Sequence, residues 1–404
     1  MRQSVSLGEV AEIVRGVTFK PGDVGLPTEQ GNIACFRTKN VQAEIDLSDV
    51  WGIPRRFVKR SDQIVRAGDI LVSTANSWNL VGKCSWVPKL SWDATIGGFI
   101  SILRANPSVV EPRFLYHWFS VPSTQADVRK CARQTTNIAN LSVEQCLALN
   151  MPLPPLDEQR RIAAILDQAD ALRRKRRESL DSFANLLKSL FRELEKKCQN
   201  EVSFAEAVYF QEGPGIRNWQ FRDEGTKLVN VKNVVNGRLD VSNSSRFLDP
   251  AEVRQRYSHF LLDAGDFVMA SSGVTWGKIA EVSKSDLPLC LNTSMIRIRP
   301  NSKEFEAEYI RAFIEFGTFR RQIERLITGS AQPNFGPFHL RQVVIPQPSI
   351  RNQELFVASV LSVRSQMDVC NEQTRYLDQL YRMLQSRFFC AAPEIESRIR
   401  AAAE

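Results

Sequence analysis

The chain has 404 residues, of which 43% are hydrophobic and 24% charged, so its composition is that of a globular protein with two or three domains. This composition excludes a collagen, a chain that is disordered throughout and a small disulfide scaffold. The 53 Lys and Arg against 45 Asp and Glu give a formal charge of +8, which makes a polyanion a candidate partner.

The N-terminal sequence and the cysteines predict a cytoplasmic protein. The N-terminus lacks the apolar core of about 7 to 15 residues that a signal peptide has. No run approaches the roughly 18 apolar residues that a membrane helix needs. The 8 cysteines are scattered without a C-x-x-C pair, and only 3 histidines accompany them. We therefore expect no membrane partner, no metal site and no disulfide framework.

Residues 1–155 predict a first domain of mixed α/β structure. Short apolar or alternating runs at 33–36, 69–73 and 99–103 are bounded by Gly, Asn and Pro, which is typical of strands. A helical pattern follows at 112–121. The domain has 17 Lys or Arg against 13 Asp or Glu, so much of the basic excess lies here.

A long central helix is predicted at 156–200. Pro154 and Pro155 precede it, and proline is tolerated at the start of a helix but not in its interior. Apolar positions then step by 4, 3, 4, 3, which is the spacing of a heptad seam. The basic run 173–177 interrupts the apolar filling and is either a solvated face or a contact for DNA or a partner. The seam positions are Ile162, Leu166, Ala169, Arg173, Arg176, Leu180, Phe183, Leu187, Leu190 and Leu194.

The second half of the chain repeats the first. Strand-like runs at 228–231, 267–270 and 295–298 and a helical pattern at 306–316 predict a second α/β domain. The predicted bounds are 201–349 for this domain, 350–390 for a distal long helix and 391–404 for a C-terminal tail. Three dipeptide landmarks of the first half, Lys39-Asn40, Gly68-Asp69 and Gly82-Lys83, recur at nearly constant offsets as Lys232-Asn233, Gly265-Asp266 and Gly277-Lys278.

The distal helix carries a second seam in register with the first. Every seam position lies 194 residues after its counterpart. We expect the two helices to pack antiparallel as a coiled coil of roughly 60 Å that separates the two domains, with an approximate internal two-fold relation. The alternative is that any helix pair in a bundle shows heptads. The second seam consists of Phe356, Val360, Val363, Met367, Cys370, Thr374, Leu377, Tyr381, Leu384 and Phe388.

This layout resembles the specificity subunit of type I restriction-modification systems. The resemblance covers essentially the whole chain and rests on the segment Pro-Leu-Pro-Pro-Leu-Asp-Glu-Gln-Arg-Arg-Ile-Ala at 152–163, which leads into the first long helix. Pro-Gln-Pro-Ser-Ile-Arg-Asn-Gln at 346–353 leads into the second. The second copy has Asn352-Gln353-Glu354 where the first has Asp157-Glu158-Gln159. This departure weakens the expectation that both helices present identical partner surfaces.

The resemblance implies that the two domains are target-recognition domains, each reading one half of an asymmetric, bipartite sequence in double-stranded DNA. It also implies that the helices set the gap between the halves and dock methyltransferase subunits, of which we expect two, while restriction subunits complete the complex. The subunit itself would be no enzyme. S-adenosylmethionine, ATP and magnesium would belong to the partner subunits, so we expect no cofactor in this chain.

The sequence lacks the motifs of the corresponding chemistry. Neither a G-x-x-x-x-G-K-[ST] phosphate loop nor a G-x-G-x-x-G segment occurs. Two alternatives remain open: an adaptor whose domains bind proteins rather than DNA, and an enzyme with an unrecognised active site.

Candidate DNA-contacting residues lie in two pairs of corresponding loops. DNA readers combine cations for phosphates with amides and hydroxyls for base edges. Both pairs offer such groups, and their alternative interpretation is ordinary turns and caps with the tryptophans buried. The first pair contains Ser73, Thr74, Asn76, Trp78, Asn79 and Lys83, and Ser271, Ser272, Thr275, Trp276 and Lys278; the second contains Gln134, Thr135 and Asn137, and Ser330 and Gln332.

Two further sets complete the prediction. Lys39 and Asn40, with Lys232 and Asn233, are either phosphate ligands or parts of a turn that both domains share. Arg55 and Arg56 belong to an exposed basic cluster that could meet phosphates.

Overall fold

The computed structural model describes residues 4–136, 138–235, 237–242, 244–301, 304–327 and 334–389. It divides into two compact units. The first contains the described residues up to Arg176 and those from Gln373 onward, and the second contains the described residues from Arg177 to Glu372. Each unit thus includes one half of each long helix. The tail predicted at 391–404 lies outside the described residues.

The first repeat of the chain contains the predicted strands and helices in the predicted order. Those expected at 33–36, 69–73, 99–103 and 112–121 are β3, β5, β9 and α2 of the following series. The strands are β1 (Ser4–Ser6), β2 (Ala11–Arg15), β3 (Asn32–Phe36), β4 (Trp51–Pro54), β5 (Ile70–Ser73), β6 (Ala75–Asn76), β7 (Cys84–Trp86), β8 (Ala94–Ile96), β9 (Ile100–Ala105), β10 (Ala132–Gln134), β11 (Ala139–Leu141) and β12 (Asn150–Pro152). The helices are α1 (Leu7–Val10), α2 (Pro112–Ser120), α3 (Pro122–Lys130), α4 (Val143–Leu147) and α5 (Leu156–Lys196).

Two sheets form the body of the first unit. One has the antiparallel order β2-β9-β5-β7, and the other has the order β4-β3-β8, in which β3 and β8 run parallel. Successive side chains of a strand point to opposite faces, so β5 contributes to two cores. Ile70 and Val72 pack with Phe114 of α2, while Leu71 packs with Phe36 of the other sheet. Because both faces of β5 are buried, its sequence is a continuous apolar run.

The second repeat has the main strands and helices of the first in the same order, with additional elements of its own. Its strands are β13 (Glu201–Ser203), β14 (Val208–Glu212), β15 (Thr226–Val229), β16 (Val234–Val235), β17 (Arg238–Leu239), β18 (Phe247–Leu248), β19 (Phe267–Ala270), β20 (Ile279–Glu281), β21 (Leu289–Leu291), β22 (Met295–Pro300) and β23 (Val344–Pro346). Its helices are α6 (Phe204–Ala207), α7 (Pro250–Glu252), α8 (Ala307–Phe316), α9 (Phe319–Leu326), α10 (Pro337–Leu340) and α11 (Ile350–Phe389).

The sheets of the second unit match those of the first, which confirms the internal repeat. The order β14-β22-β19-β20 corresponds to β2-β9-β5-β7, although β17 and β16 extend the second sheet beyond β20. The order β18-β15-β21 corresponds to β4-β3-β8, again with one parallel pair. In both repeats the first strand pairs with the strand before the long helix, β1 with β12 and β13 with β23. The fold is therefore the predicted mixed α/β domain in two copies.

The repeated Gly-Asp landmark builds a buried ion pair in each unit. Asp69 is almost fully buried, and its carboxylate accepts hydrogen bonds from the Arg104 guanidinium at 2.8 Å and from the Arg66 amide at 2.7 Å. In the second unit Asp266 accepts from Arg299 Nε at 2.6 Å. The Gly-Asp landmark therefore closes the turn before β5 in the first unit and before β19 in the second. Its aspartate also links that strand to the neighbouring strand, β9 or β22, which carries the arginine.

The glutamine of the repeated segment that leads into each long helix holds the start of that helix in place. Gln159 is buried; its carbonyl oxygen accepts from the Glu111 amide at 2.8 Å, and its amide donates to the carbonyl oxygens of Pro154 at 2.8 Å and Val109 at 3.2 Å. Gln353 makes the same three kinds of bond in the second unit, so Gln353 corresponds to Gln159, and the alignment of Glu354 with Gln159 expected from the sequence is corrected by one residue. Three hydrogen bonds to the backbone use nearly the full capacity of one amide side chain.

The predicted pairing of the two long helices is confirmed within each unit. In the first unit, Arg173 of α5 pairs with Asp378 of α11 at 2.6 Å, and its guanidinium lies over the Tyr381 ring. In the second, Phe191 of α5 meets Phe356 of α11 with ring centroids 5.8 Å apart. Early residues of one helix meet late residues of the other, so the helices are antiparallel. Within the described residues, no helix combines the length and apolarity needed to span a bilayer.

The seam residues are buried to different degrees. Burial is strongest at Ile162 and Leu166 in the first unit and at Leu187 and Val360 in the second. Arg173 is partly buried by its ion pairs, so its place in the seam has a structural reason. Partial burial is found at Leu180, Phe183, Leu190, Val363, Leu377 and Leu384, and burial at Leu194, Phe356, Tyr381 and Phe388.

Candidate nucleic-acid interface

The two predicted loops of the first unit lie side by side. Strand β6 pairs with β11, so that Asn76 faces Ala139 and Ala75 faces Asn140, and β10 pairs with the other edge of β11. The Leu141 amide also donates to the Thr74 carbonyl at 2.8 Å. The polar segment around residue 76 and the polar segment around residue 135 therefore form one surface, although some 60 residues separate them in the sequence.

The exposed tips of this surface carry the predicted side chains. Trp78 is 39% exposed, and Asn79 and Gln134 are exposed beside the same small sheet. Thr135 is also exposed, but both its amide and its hydroxyl bond to the Ile138 carbonyl at 2.8 Å, so it stabilises the hairpin turn. Asn137 lies outside the described residues. Trp78, Asn79 and Gln134 remain available to a ligand.

A cleft of about 230 Å³ gathers predicted residues from separate segments. Lys39 and Lys83 line it with Asn76. The Lys83 ammonium donates to the side-chain oxygen of Gln42, which lines the same cleft. Gln42 is not recognisable from the sequence, because a single glutamine in a loop forms no pattern. Two lysines and two amides in one recess form an arrangement that suits a phosphate and its adjoining base edge.

Asn40 must be removed from the predicted DNA contacts, whereas Ser73 is buried at the wall of the cleft. Asn40 is fully buried; its amide donates to the backbone oxygens of Asp46 at 2.7 Å and Asp49 at 3.0 Å, and its oxygen accepts from the Arg37 amide at 2.8 Å. Ser73 is also buried, and its hydroxyl accepts from Asn76 at 3.1 Å. The Asn40 side chain holds its loop in place and does not reach the surface, while Ser73 positions Asn76 in the cleft.

The cations predicted to meet phosphates differ in their partners. Lys39 and Arg37 both pair with Asp49, and the Lys39 ammonium is the main cause that holds the pKa of Asp49 below its ordinary value. Arg55 pairs with Asp93 at 2.8 Å at the surface. Arg56 is exposed with its guanidinium over the Phe57 ring. An exposed ion pair such as that of Arg55 costs little free energy to break. Arg55 and Arg56 therefore both remain accessible to a polyanion.

In the second unit, Trp276 belongs to the hydrophobic core. Only 4% of its surface is exposed, its ring meets Phe335 edge-on at 5.6 Å, and the Arg320 guanidinium lies 4.3 Å from its ring centroid. Ser271 is buried as well. The prediction that these two residues contact DNA is therefore wrong, because the loop turns its tryptophan inward where the corresponding loop of the first unit exposes Trp78.

Fewer predicted contacts of the second unit reach the surface. Lys278 and Lys232 are exposed, and Ser272 and Thr275 are half-buried. Asn233 repeats the buried loop-holding role of Asn40, since its amide donates to the Asp240 carbonyl at 2.8 Å, and it too must be removed. Ser330 and Gln332 lie outside the described residues.

The first-unit surface combines hydrogen-bonding amides, lysines and one exposed indole. These groups can bind a polyanion and distinguish its bases, but they include no nucleophile with a base to activate it. In the part of the chain that the structure describes, no group of three or more His, Cys, Asp or Glu side chains is placed to hold a metal ion. The arrangement suits recognition.

A buried histidine links this unit's helix α2 to both long helices. His117 Nε2 lies 2.8 Å from Asp167 Oδ1 of α5, and Nδ1 lies 3.2 Å from the Tyr381 hydroxyl of α11. Arg113 also donates to Asp167. In the neutral ring, Nε2 donates to the carboxylate and Nδ1 accepts from the hydroxyl. Burial lowers the pKa of His117 more than the bond to Asp167 raises it.

We expect the first unit to lose stability as the pH falls below about 6.5, the ordinary pKa of histidine. The folded state binds the His117 proton more weakly than the unfolded state, so the contribution is complete above that pH and is lost below it. Burial alone would raise the pKa of Asp167, but bonds from His117 and Arg113 hold it at about 2, so its contribution is lost only between about pH 4 and 2. Urea unfolding between pH 5 and 8, followed by hydrogen exchange in α2, measures the effect.

The matched variant is His117→Gln, which keeps a polar side chain but cannot titrate. Its stability should change less between pH 8 and 5 than that of the unchanged protein. Equal losses in both proteins would show that His117 does not cause the pH dependence.

Comparison with known proteins adds independent findings. Residues 2–182 match the family model described as the type I restriction modification DNA specificity domain. Over 361 residues the chain is 22% identical to the type I restriction enzyme MjaVIII specificity subunit of Methanocaldococcus jannaschii, covering 81% of this chain and 80% of that protein. It is 23% identical over 390 residues to the type I restriction enzyme EcoKI specificity subunit of Escherichia coli K12, covering 90% and 82%.

Solved structures share the fold. The S subunit of a type I restriction-modification system from M. genitalium superposes with a TM-score of 0.57 at 16% identity and covers 96% of each chain. A chain from a study of complex assembly and conformational transition of the type I R-M system gives a TM-score of 0.52 at 16% identity, with 95% and 96% covered. These likenesses extend over both repeats.

Proposed function

We propose that the chain is a specificity subunit of a type I restriction-modification system and that it selects a bipartite, asymmetric sequence in double-stranded DNA. Each recognition domain reads one half of the target. The observation that carries the proposal is a fold repeated with different reading surfaces: the corresponding loops expose Trp78 in the first unit and bury Trp276 in the second. Two domains with the same fold suit the two antiparallel strands of a duplex. Because the surfaces of the two domains differ, they select different half-sites.

The partners follow from the same proposal. Specificity subunits work with modification and restriction subunits and with DNA, and we propose two methyltransferase subunits here because the long-helix scaffold is duplicated. The helices set the gap between the half-sites. The chain contributes recognition and no catalytic step, so S-adenosylmethionine, ATP and magnesium belong to its partners. Its place of action would be the cytoplasm.

Mapping methylated bases across the genome tests the proposal. Cells with the chain and its modification subunits should show one bipartite methylated sequence, which should disappear when the chain is removed. The combined variant Trp78→Ala, Asn79→Ala and Lys83→Ala should weaken or relax selection at one half-site and leave the other half and the spacing unchanged, because these groups lie on one unit.

The combined variant Lys20→Ala and Lys89→Ala serves as a control, because it removes two exposed cations of the same unit outside this surface. It should preserve the methylated sequence. If the loop variant left sequence and occupancy intact, the loop would have no part in reading. If the chain supported no split methylated sequence at all, the adaptor alternative would replace the proposal.

A further inference from the structure

The second unit carries an exposed tryptophan among arginines that the predicted loops do not include. Trp219 is 71% exposed, an unusual position for so large an apolar side chain. Four exposed arginines lie on the same or adjoining segments, and we call these residues with Trp219 the Trp219 surface. Its members are Arg217, Trp219, Arg222, Arg246 and Arg254.

Hydrogen bonds connect these segments into one rigid platform. Gln220, next to Trp219, is buried, and its amide donates to Glu252 at 2.6 Å and to the Tyr257 hydroxyl at 2.9 Å. The turn at 218–220 is therefore tied to the segment 250–257 that carries Arg254. The turn that carries Trp219 is therefore held in place by hydrogen bonds to a neighbouring segment.

The arginines of this platform are oriented by their own contacts. Arg222 donates to the carbonyl oxygens of Trp219 at 3.0 Å and Phe221 at 3.1 Å. The Arg246 guanidinium lies over the Phe221 ring at 4.7 Å. Contacts of this kind hold the guanidinium groups in place and leave their charge unneutralised.

The first unit shows that the fold does not require this tryptophan. Its equivalent turn, at 21–23, is closed by the same kind of bond: the Lys20 amide donates to Asp23 at 2.8 Å, as the Arg217 amide donates to Gln220 at 2.9 Å. At the position of Trp219 the first unit has Gly22. The second unit therefore adds a large exposed ring to a turn that forms without one.

The same comparison holds for two of the arginines. An isolated bridge joins Gly25 to Gly52 in the first unit, and the equivalent bridge joins Arg222 to Phe247 in the second. Arg246 precedes Phe247 as Trp51 precedes Gly52. Neither arginine stands where the fold demands a cation.

The net positive charge of the segment that carries this surface is larger than that of the whole second domain. Residues 217–256 contain eight Lys or Arg against five Asp or Glu, a net charge of +3, whereas 201–349 contain 18 against 17, a net charge of +1. Of the acids, Glu252 and Asp249 are engaged in bonds to the platform itself. Among the described residues, no carboxylate lies within ion-pair distance of Arg217, Arg222, Arg246 or Arg254.

We propose that the Trp219 surface is a second DNA contact of this unit, in which the arginines bind backbone phosphates and Trp219 packs against the sugar edge of the duplex. The inference rests on the proposed function and adds where the second unit holds its DNA. Phosphate contacts position a protein without reading bases. The surface therefore supplies affinity and leaves the choice of sequence to other residues.

Binding by the full-length chain with its modification subunits tests this inference. Two labelled duplexes serve as probes, one with the mapped target and one with its second half-site scrambled. The combined variant Arg217→Ala, Arg222→Ala and Arg246→Ala should reduce the slope of log affinity against log salt by about 0.9 for each phosphate that the variant no longer binds. Affinity should fall by the same factor on both duplexes, so that the preference between them is kept.

Two further variants separate charge from shape. The combined variant Arg217→Lys, Arg222→Lys and Arg246→Lys keeps the charges and should retain most of the salt slope. Trp219→Gly installs the residue that the first unit has at this position, so the turn should fold, and binding to both duplexes should weaken about 5- to 30-fold.

The control removes three exposed cations of the same unit that lie outside the surface and outside the long helices, as Lys284→Ala, Arg321→Ala and Arg341→Ala, and should change the slope less than the arginine variant. An unchanged slope in the arginine variant, or an equal change in the control, overturns the inference. If the complex without any substitution shows no preference for the target duplex, the proposed function fails instead.

Discussion

Replacing Trp276 by Ala should lower the free energy of unfolding of the second unit by about 3 to 5 kcal/mol. The indole is buried in the core, where it meets Phe335 and carries the Arg320 guanidinium on its face. Truncation removes the apolar contacts and leaves a cavity that the surrounding sheet and helices can fill only in part. Urea unfolding followed by hydrogen exchange in β19 and β22 measures the loss in this unit separately from the first.

Trp78→Ala in the corresponding loop is the matched control. Trp78 is 39% exposed, so its removal should cost less than about 1 kcal/mol while weakening DNA selection. The two substitutions thus have opposite expected profiles: one affects stability, the other recognition. Similar stability losses in the two variants would contradict the assignment of Trp276 to the core and Trp78 to the reading surface.

Gln159→Ala should destabilise the first unit by about 2 to 4 kcal/mol. The substitution leaves the Glu111 amide and the carbonyl oxygens of Val109 and Pro154 without the partner that they have in the folded protein. Buried backbone groups without partners are costly because water cannot replace the missing bond. Unfolding by urea and hydrogen exchange at the start of α5 provide the measurement.

Gln168→Ala on the same helix is the control for helix propensity, because Gln168 is exposed. It should change stability by less than about 0.5 kcal/mol. Gln353→Ala should reproduce the effect of Gln159→Ala in the second unit, since it makes the equivalent bonds. A small effect at both glutamines would show that the motif does not hold the helix starts.

Regular elements could be predicted from the sequence because their signals are local. The heptad seams, the prolines before α5 and α11 and the short apolar runs predict both long helices and the main strands to within a few residues. Strands β10 and β11 escape this prediction, because their polar residues are typical of a loop. Strand β10 pairs with β11, and β11 also pairs with β6, a partner that is distant in sequence.

Candidate contacts were harder to predict because exposure depends on tertiary packing. Asn40 and Lys39 are neighbours, yet one is buried beneath a loop and the other lines a cleft. The Trp219 surface escaped detection for a related reason. Acids elsewhere in the domain offset its arginines, so the net charge of +1 conceals a local excess.

The sequence alone determined the duplication, the mixed α/β class, the two antiparallel helices and the resemblance to the specificity subunits, because periodicity, prolines and repeated motifs are properties of order along the chain. Tertiary structure decided which repeated residues face water. The corresponding loops carry their tryptophans at different positions, since Trp276 precedes Gly277 as the buried Val81 precedes Gly82, whereas Trp219 stands where the first unit has Gly22. Packing around each position buries Trp276 and leaves Trp78 and Trp219 exposed. Burial is a property of neighbours brought together from distant segments, so the backbone repeats while the reading surfaces differ.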